Sequence, residues 1–283
     1  MIGLAICNEL FENWEFERVC DTVKALGYDG LEIAPFTLAP RISAVGLAER
    51  NRLARVMTDR GLRCVGLHWL LAKTEGFGLT HPDPSIRRAT ADYLIELAEA
   101  TGDLGGSLMV LGSPKQRDLA PGVTYEQGVA YLIEAIEHLL PTLERRGVDL
   151  CLEPLAPAET NFLNTCAQTV AILERLGHPE RVKLHLDVKA QSSETEADVP
   201  TLIGRYAKFA GHFHANDVNL RGPGMGEVDF KPILAALVAS GYDRFVSVEV
   251  FDFSPGAEET ARISIQTLKD ARDAAIRSPT IAS

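Results

Sequence analysis

Short apolar runs alternate along this chain with longer segments whose apolar residues recur at helical spacing. The first run covers residues 2–7 and stops at Asn8. Behind it, Phe16, Val19, Val23 and Leu26 share one helical face of residues 15–26, and Gly27 marks a helix end. The same pair of signals repeats along the chain. Strands are predicted over 2–7, 31–33, 62–67, 107–111, 148–153, 182–187, 209–214 and 245–250. Helices are predicted over 15–26, 47–60, 85–100, 125–146, 165–176, 200–208, 230–240 and 258–277, with Pro141 expected to kink the fourth. Residues 70–84, punctuated by Gly76, Gly78, Pro82 and Pro84, read as a long loop of the kind that often covers a binding site.

Strict strand–helix alternation implies a parallel sheet with right-handed crossovers. Eight such repeats fit a closed (β/α)8 TIM barrel, an α/β fold in which residues 1–283 form a single domain. An open dinucleotide-binding sheet would carry a glycine-rich phosphate turn after an early strand, and none follows Cys7, Ile33 or Leu67. Hydrophobic residues make up 46% of the chain, enough for a large core, and a net charge of −11 argues against nucleic acid or an anionic membrane as partner. The first residues lack the basic and apolar regions of a signal peptide, and no apolar run reaches the roughly 18 residues of a membrane span. Cys7, Cys20, Cys64, Cys151 and Cys166 contain no C-x-x-C pair and three of them sit in apolar runs, as reduced core thiols do. A cytoplasmic location is expected.

In a barrel of this kind the chemistry lies at the C-terminal ends of the strands. Asn8, Glu32 and His68 sit at or near the ends of the first three strands, where each could equally be a capping group or one half of a structural ion pair. The last four strands end, in order, on or near Glu153, Asp187, His214 and Glu249. Three carboxylates and one imidazole form a hard, oxygen-rich ligand set suited to a divalent cation, Mn²⁺ first, with Mg²⁺ or Co²⁺ as alternatives, whereas structural zinc favours sulfur and nitrogen. The spacing of a strand puts His212 on the same face as His214 and leaves it as an alternative ligand. Lys115 and Arg117 after the fourth strand and Arg221 after the seventh lie at the same end, placed for an anionic substrate group or for plain solvent.

The runs L-E-P-L at Glu153, H-L-D at Asp187, H-F-H-A-N-D at His214 and S-V-E-V-F at Glu249 resemble the xylose-isomerase-like TIM-barrel superfamily of sugar and sugar phosphate isomerases and epimerases, across nearly the whole chain. The ketose 3-epimerase branch is the most similar. That resemblance implies a metal held by Glu153, Asp187, His214 and Glu249, with His214 chosen over His212. It implies that Glu153 and Glu249 move the proton through a metal-stabilised cis-enediolate of a small ketose, sugar phosphate or sugar acid. It implies substrate contacts from His68 and from Glu159, six residues after Glu153. Where the epimerases carry a substrate histidine, three residues after the metal-binding aspartate, this chain has Ala190, with Lys189 beside it as a substitute contact. A lyase that dehydrates an inosose-like or keto-polyol substrate is the alternative on the same scaffold. Dimers or tetramers are compatible with such barrels.

Overall fold

The computed structural model describes residues 1–277. Eight strands, β1 (Gly3–Cys7), β2 (Gly30–Ile33), β3 (Arg63–Leu67), β4 (Leu108–Leu111), β5 (Asp149–Leu152), β6 (Val182–Asp187), β7 (Ala210–Ala215) and β8 (Phe245–Val248), form a closed barrel in sequence order. Every pairing is parallel, and the seam between β1 and β8 closes through Leu4 opposite Val246 and Ile6 opposite Val248. The eight long helices are Phe16–Leu26, Leu47–Asp59, Pro84–Asp103, Tyr125–Arg146, Cys166–Arg175, Val199–Tyr206, Phe230–Ala239 and Ala257–Arg277. This is the (β/α)8 architecture the alternation predicts.

Local chemistry sets the boundaries. Thr124 with Gln127, and Thr165 with Gln168, form reciprocal capping boxes that start two of the helices. Gly27 ends the first helix and Gly147 the helix that Thr124 starts, both in the left-handed conformation, at φ 89° and 66°. Pro141 lies within one uninterrupted helix, Tyr125–Arg146. The long loop after β3 lacks regular structure until Pro84, where Asp83 accepts a hydrogen bond from the Ser85 N–H and caps the next helix. Short elements absent from the sequence reading appear at the barrel mouth: 3-10 turns at Asn8–Phe11 and Pro35–Thr37, and one-turn helices at Pro114–Arg117 and Val188–Gln191.

The main apolar core lies between strands and helices. A smaller cluster, Ala5, Val65, Leu108, Val110 and Cys151, packs with Phe245. Ala5 is two residues before Cys7, Cys151 two before Glu153, and Phe245 four before Glu249, so period-two alternation puts this cluster on the same inward face as the mouth residues, below them. The barrel is therefore apolar at its base and polar above. At β3 the backbone of Gly66 meets β4 so closely that a Cβ there would sit 1.9 Å from the Leu108 carbonyl oxygen, which only glycine avoids. All five cysteines are unpaired. No helix among the described residues is long and apolar enough to cross a membrane.

Candidate metal centre and active site

Strands β5 to β8 bring Glu153, Asp187, His214 and Glu249 to one wall of the mouth. All four are buried, at 8%, 1%, 0% and 3% exposure. One ligand-capable atom from each of Glu153, His185, Asp187 and His214 falls within 4.8 Å of the others. Glu249 completes the wall, its Oε2 lying 3.3 Å from His214 Nδ1. The side chains around this set hold it in place. Asp187 caps its own one-turn helix, with Oδ1 accepting from the Ala190 N–H at 2.7 Å, while Oδ2 accepts from Asn216 Nδ2 at 2.6 Å. Trp69 Nε1 donates to Glu249 Oε1 at 2.7 Å, leaving Oε2 turned toward His214. Trp69 adopts φ 51°, a left-handed conformation that a bulky residue seldom takes, and its ring stacks on Phe251 with centroids 5.8 Å apart. Gly112 makes room for Glu153, because a Cβ at that position would lie 2.2 Å from Oε2.

The electrostatics follow from the crowding of these acids. Burial and the neighbouring Glu249 and Asp187 carboxylates push Glu153 well above the ordinary carboxylate range. Burial and Glu249 likewise push Asp187 up to about 6, although Lys189 and His214 pull it down. For Glu249 burial acts upward but is outweighed by His214, which holds this carboxyl below its usual value. For His214 burial acts downward and is outweighed by Glu32 and Glu249, so the imidazole is held well above its usual value. Three gathered carboxylates with two of them pushed up, and an unpartnered His214 Nδ1 aimed among them, fit a bound divalent cation.

The cavity above this wall measures about 380 Å³. It is lined by Glu153, Glu159, Glu249, Trp69 and Phe251, with Ser113 and Lys115 on the side of the loop after β4. A larger hollow of about 630 Å³ opens at the opposite end of the barrel around Gly3, Arg63 and Arg272, but no histidine lines it. The cavity at the mouth is the one that meets the ligand set.

The structure sorts the remaining candidates. Glu159 lines the cavity, with Oε1 accepting from Lys189 Nζ at 2.6 Å, and Lys189 also lies over the Phe251 ring at 4.4 Å. Lys189 is thus neither solvated nor free. His68 is fully buried with Nε2 at 2.8 Å from Glu9 Oε2, and it is not on the cavity wall. Arg221 turns away, donating to the Ser254 carbonyl at 3.1 Å and lying 3.4 Å from Asp252. Arg117 is buried at 2% and donates to the Glu153 and Leu163 carbonyls, so it braces the backbone rather than facing an anionic ligand. His212 lies deeper than His214, its Nε2 2.7 Å from Glu32 Oε2. Sequence reading missed His185, Asn216 and the indole of Trp69 as parts of the site. A signal for His185 existed, since it precedes Asp187 by two and so shares its face.

Replacing Trp69 by phenylalanine retains an aromatic ring beside Phe251 and removes the donor to Glu249. Loss of one hydrogen bond to a charged group, about 1.5–3 kcal/mol, is expected to lower turnover by roughly 10- to 100-fold. Steady-state kinetics would check this, and unchanged kcat would show the indole N–H to be idle.

Comparison with known proteins points the same way as the geometry. The profile of the xylose isomerase-like TIM-barrel family matches residues 20–271. The chain is 29% identical over 241 residues to L-ribulose 3-epimerase of Mesorhizobium japonicum, covering 84% of this chain and 76% of that one. It is 27% identical over 244 residues to D-psicose 3-epimerase of Ruminiclostridium cellulolyticum, covering 85% and 80%. A solved structure of an L-ribulose 3-epimerase superposes with a TM-score of 0.84 at 24% identity over 100% of both chains.

Proposed function

This chain belongs to the xylose isomerase-like TIM-barrel family, and on that premise we propose that it is a divalent-metal-dependent epimerase of a small ketose. The observation that carries the proposal is the buried set of Glu153, Asp187, His214 and Glu249, of which Glu153 and Glu249 line the cavity at the mouth. The 3-epimerase names of its relatives support the same reading. These four residues would hold the cation, and the oxygen-rich donors favour Mn²⁺, with Mg²⁺ or Co²⁺ also accommodated. When bound, the cation polarises the ketose carbonyl and acidifies the neighbouring C–H.

The protein's own groups do the rest. Glu153 and Glu249 both line the cavity from strands β5 and β8, so a ketose seated between them meets a carboxylate on each side. One removes the proton from the carbon next to the carbonyl, and the other returns a proton to the opposite face, which inverts that centre. Return to the neighbouring carbon instead would isomerise the sugar. Glu159 and Lys189 bind substrate hydroxyls as a pair, and Trp69 and Phe251 present flat apolar faces to the sugar C–H groups. His68 and Arg221 are engaged elsewhere and stay outside this contact set.

The test is NMR detection of deuterium incorporation from D₂O with Mn²⁺ present, across a panel including L-ribulose and D-psicose. Exchange at C3, with one deuterium gained and no water lost, is expected. Exchange at C1 would make the protein an aldose–ketose isomerase, and loss of water would make it a lyase. No exchange on any ketose would refute the proposal.

A further inference from the structure

Beneath the ligand wall lies a second polar layer that the reaction outlined above does not use. Its centre is Glu32, at the C-terminal end of β2, with 0% exposure. Its carboxylate reaches across the barrel to β7. Oε1 lies 3.0 Å from His214 Nε2, and Oε2 lies 2.7 Å from His212 Nε2. Both separations are hydrogen-bond distances, and a carboxylate set between two imidazoles can only accept, so each facing Nε2 donates its proton to it.

This assigns the tautomers. With Nε2 protonated, the free lone pair of each neutral ring is on Nδ1. Neither Nδ1 has a hydrogen-bond partner. The His214 Nδ1 faces Glu249 Oε2 at 3.3 Å, inside the ligand wall. His212 sits two residues earlier on the same strand and clusters with Glu32 and His214, apart from the group formed by Glu153, His185, Asp187 and His214. The 2.7 Å separation of His212 from Glu32 is a hydrogen-bond distance.

We propose that Glu32 is the positioning residue of the metal centre: by accepting a hydrogen bond from Nε2 of His214 it fixes Nδ1 as the coordinating nitrogen. Its second oxygen, tied to His212, anchors the carboxylate so that it cannot turn away. This inference rests on the metal reading above and adds a residue from the opposite side of the barrel to it. Outer partners of this kind orient the imidazole and raise its basicity toward the ion.

The experiment is calorimetric titration of the metal-stripped full-length protein with Mn²⁺, for wild type, Glu32→Gln and His212→Asn. In E32Q the amide oxygen can accept from one histidine only, and its NH₂ faces the other, so the arrangement of protons around His214 is no longer imposed. Mn²⁺ affinity is expected to fall by about 10- to 100-fold in E32Q and by a smaller factor in H212N, which loses the anchor of the carboxylate but keeps its contact with His214. Far-UV circular dichroism and melting curves verify that each variant folds. Independently of any variant, two-bond ¹H–¹⁵N correlations of histidine-labelled wild type loaded with diamagnetic Mg²⁺ should show His214 protonated at Nε2. E32Q that binds Mn²⁺ as tightly as wild type, or His214 protonated at Nδ1 in the loaded protein, overturns the proposal while leaving the metal reading intact. Wild type that binds no Mn²⁺ overturns both.

Discussion

Glu249→Gln is expected to lower kcat for ketose epimerisation by about 10²- to 10⁴-fold, the usual worth of a positioned general base, with KM changed far less. Glutamine has nearly the same shape, and its carbonyl can still accept the Trp69 indole hydrogen bond that holds Glu249 Oε1 at 2.7 Å. It can neither take a proton nor supply negative charge beside His214. Two losses are thus combined, and metal content measured on the purified variant separates them. E249Q that retains Mn²⁺ but shows no C–H exchange into D₂O has lost its base. E249Q that has lost both shows that ligation dominates. A variant turning over ketose at a tenth or more of the wild-type rate would remove Glu249 from the mechanism.

Mn²⁺ added to metal-stripped protein at pH 7 is expected to raise the melting temperature by about 5–10 °C. A ligand at a hundredfold excess over its dissociation constant contributes about 2.7 kcal/mol, and each kcal/mol moves a chain of this size by roughly 2–4 °C. The direction with pH also follows. Burial and Glu249 push Asp187 up to about 6, above its value in the unfolded chain. The stability this group contributes is fully present below the unfolded value, near 4, and is lost as pH rises through 6. The metal-free protein therefore carries a growing penalty from Asp187 between pH 4 and 7, and a bound cation removes it. Proton competition for the ligands acts in the same sense. The melting-temperature gain on adding Mn²⁺ should be larger at pH 7 than at pH 5. Differential scanning calorimetry with and without the ion checks both statements. An equal or larger gain at pH 5 would contradict the repulsion argument.

The strands were legible because each buries a compact apolar run, and all but the fourth carry a polar residue at or next to their C-terminal end. Residues 182–187 coincide with β6 as built, and the glycine at 27 ends its helix as the sequence indicates. The mouth was less legible, for a physical reason. Ser113 in the left-handed region, followed by proline, looks like a plain turn, yet Pro114 opens a one-turn helix that swings Arg117 inward onto two carbonyl oxygens. A charged side chain cannot announce from sequence that it will satisfy buried backbone. Glu32 and His214 are 182 positions apart, and nothing local in G-L-E-I says that its glutamate will face two histidines across the barrel. Lys189 shows a middle case. Its place beside the substrate position could be argued from the residues, but its pairing with Glu159 and its seat over Phe251 depend on how three separate loops meet.

The order of the ligands along the chain has a consequence for how the protein is made. Glu153, Asp187, His214 and Glu249 emerge from the ribosome in that sequence, and Glu249 lies just past the last strand. A nascent chain ending before residue 245 can hold at most three of the four, and its barrel lacks the β8 strand that closes onto β1. On the proposed metal site, binding by all four ligands follows barrel closure.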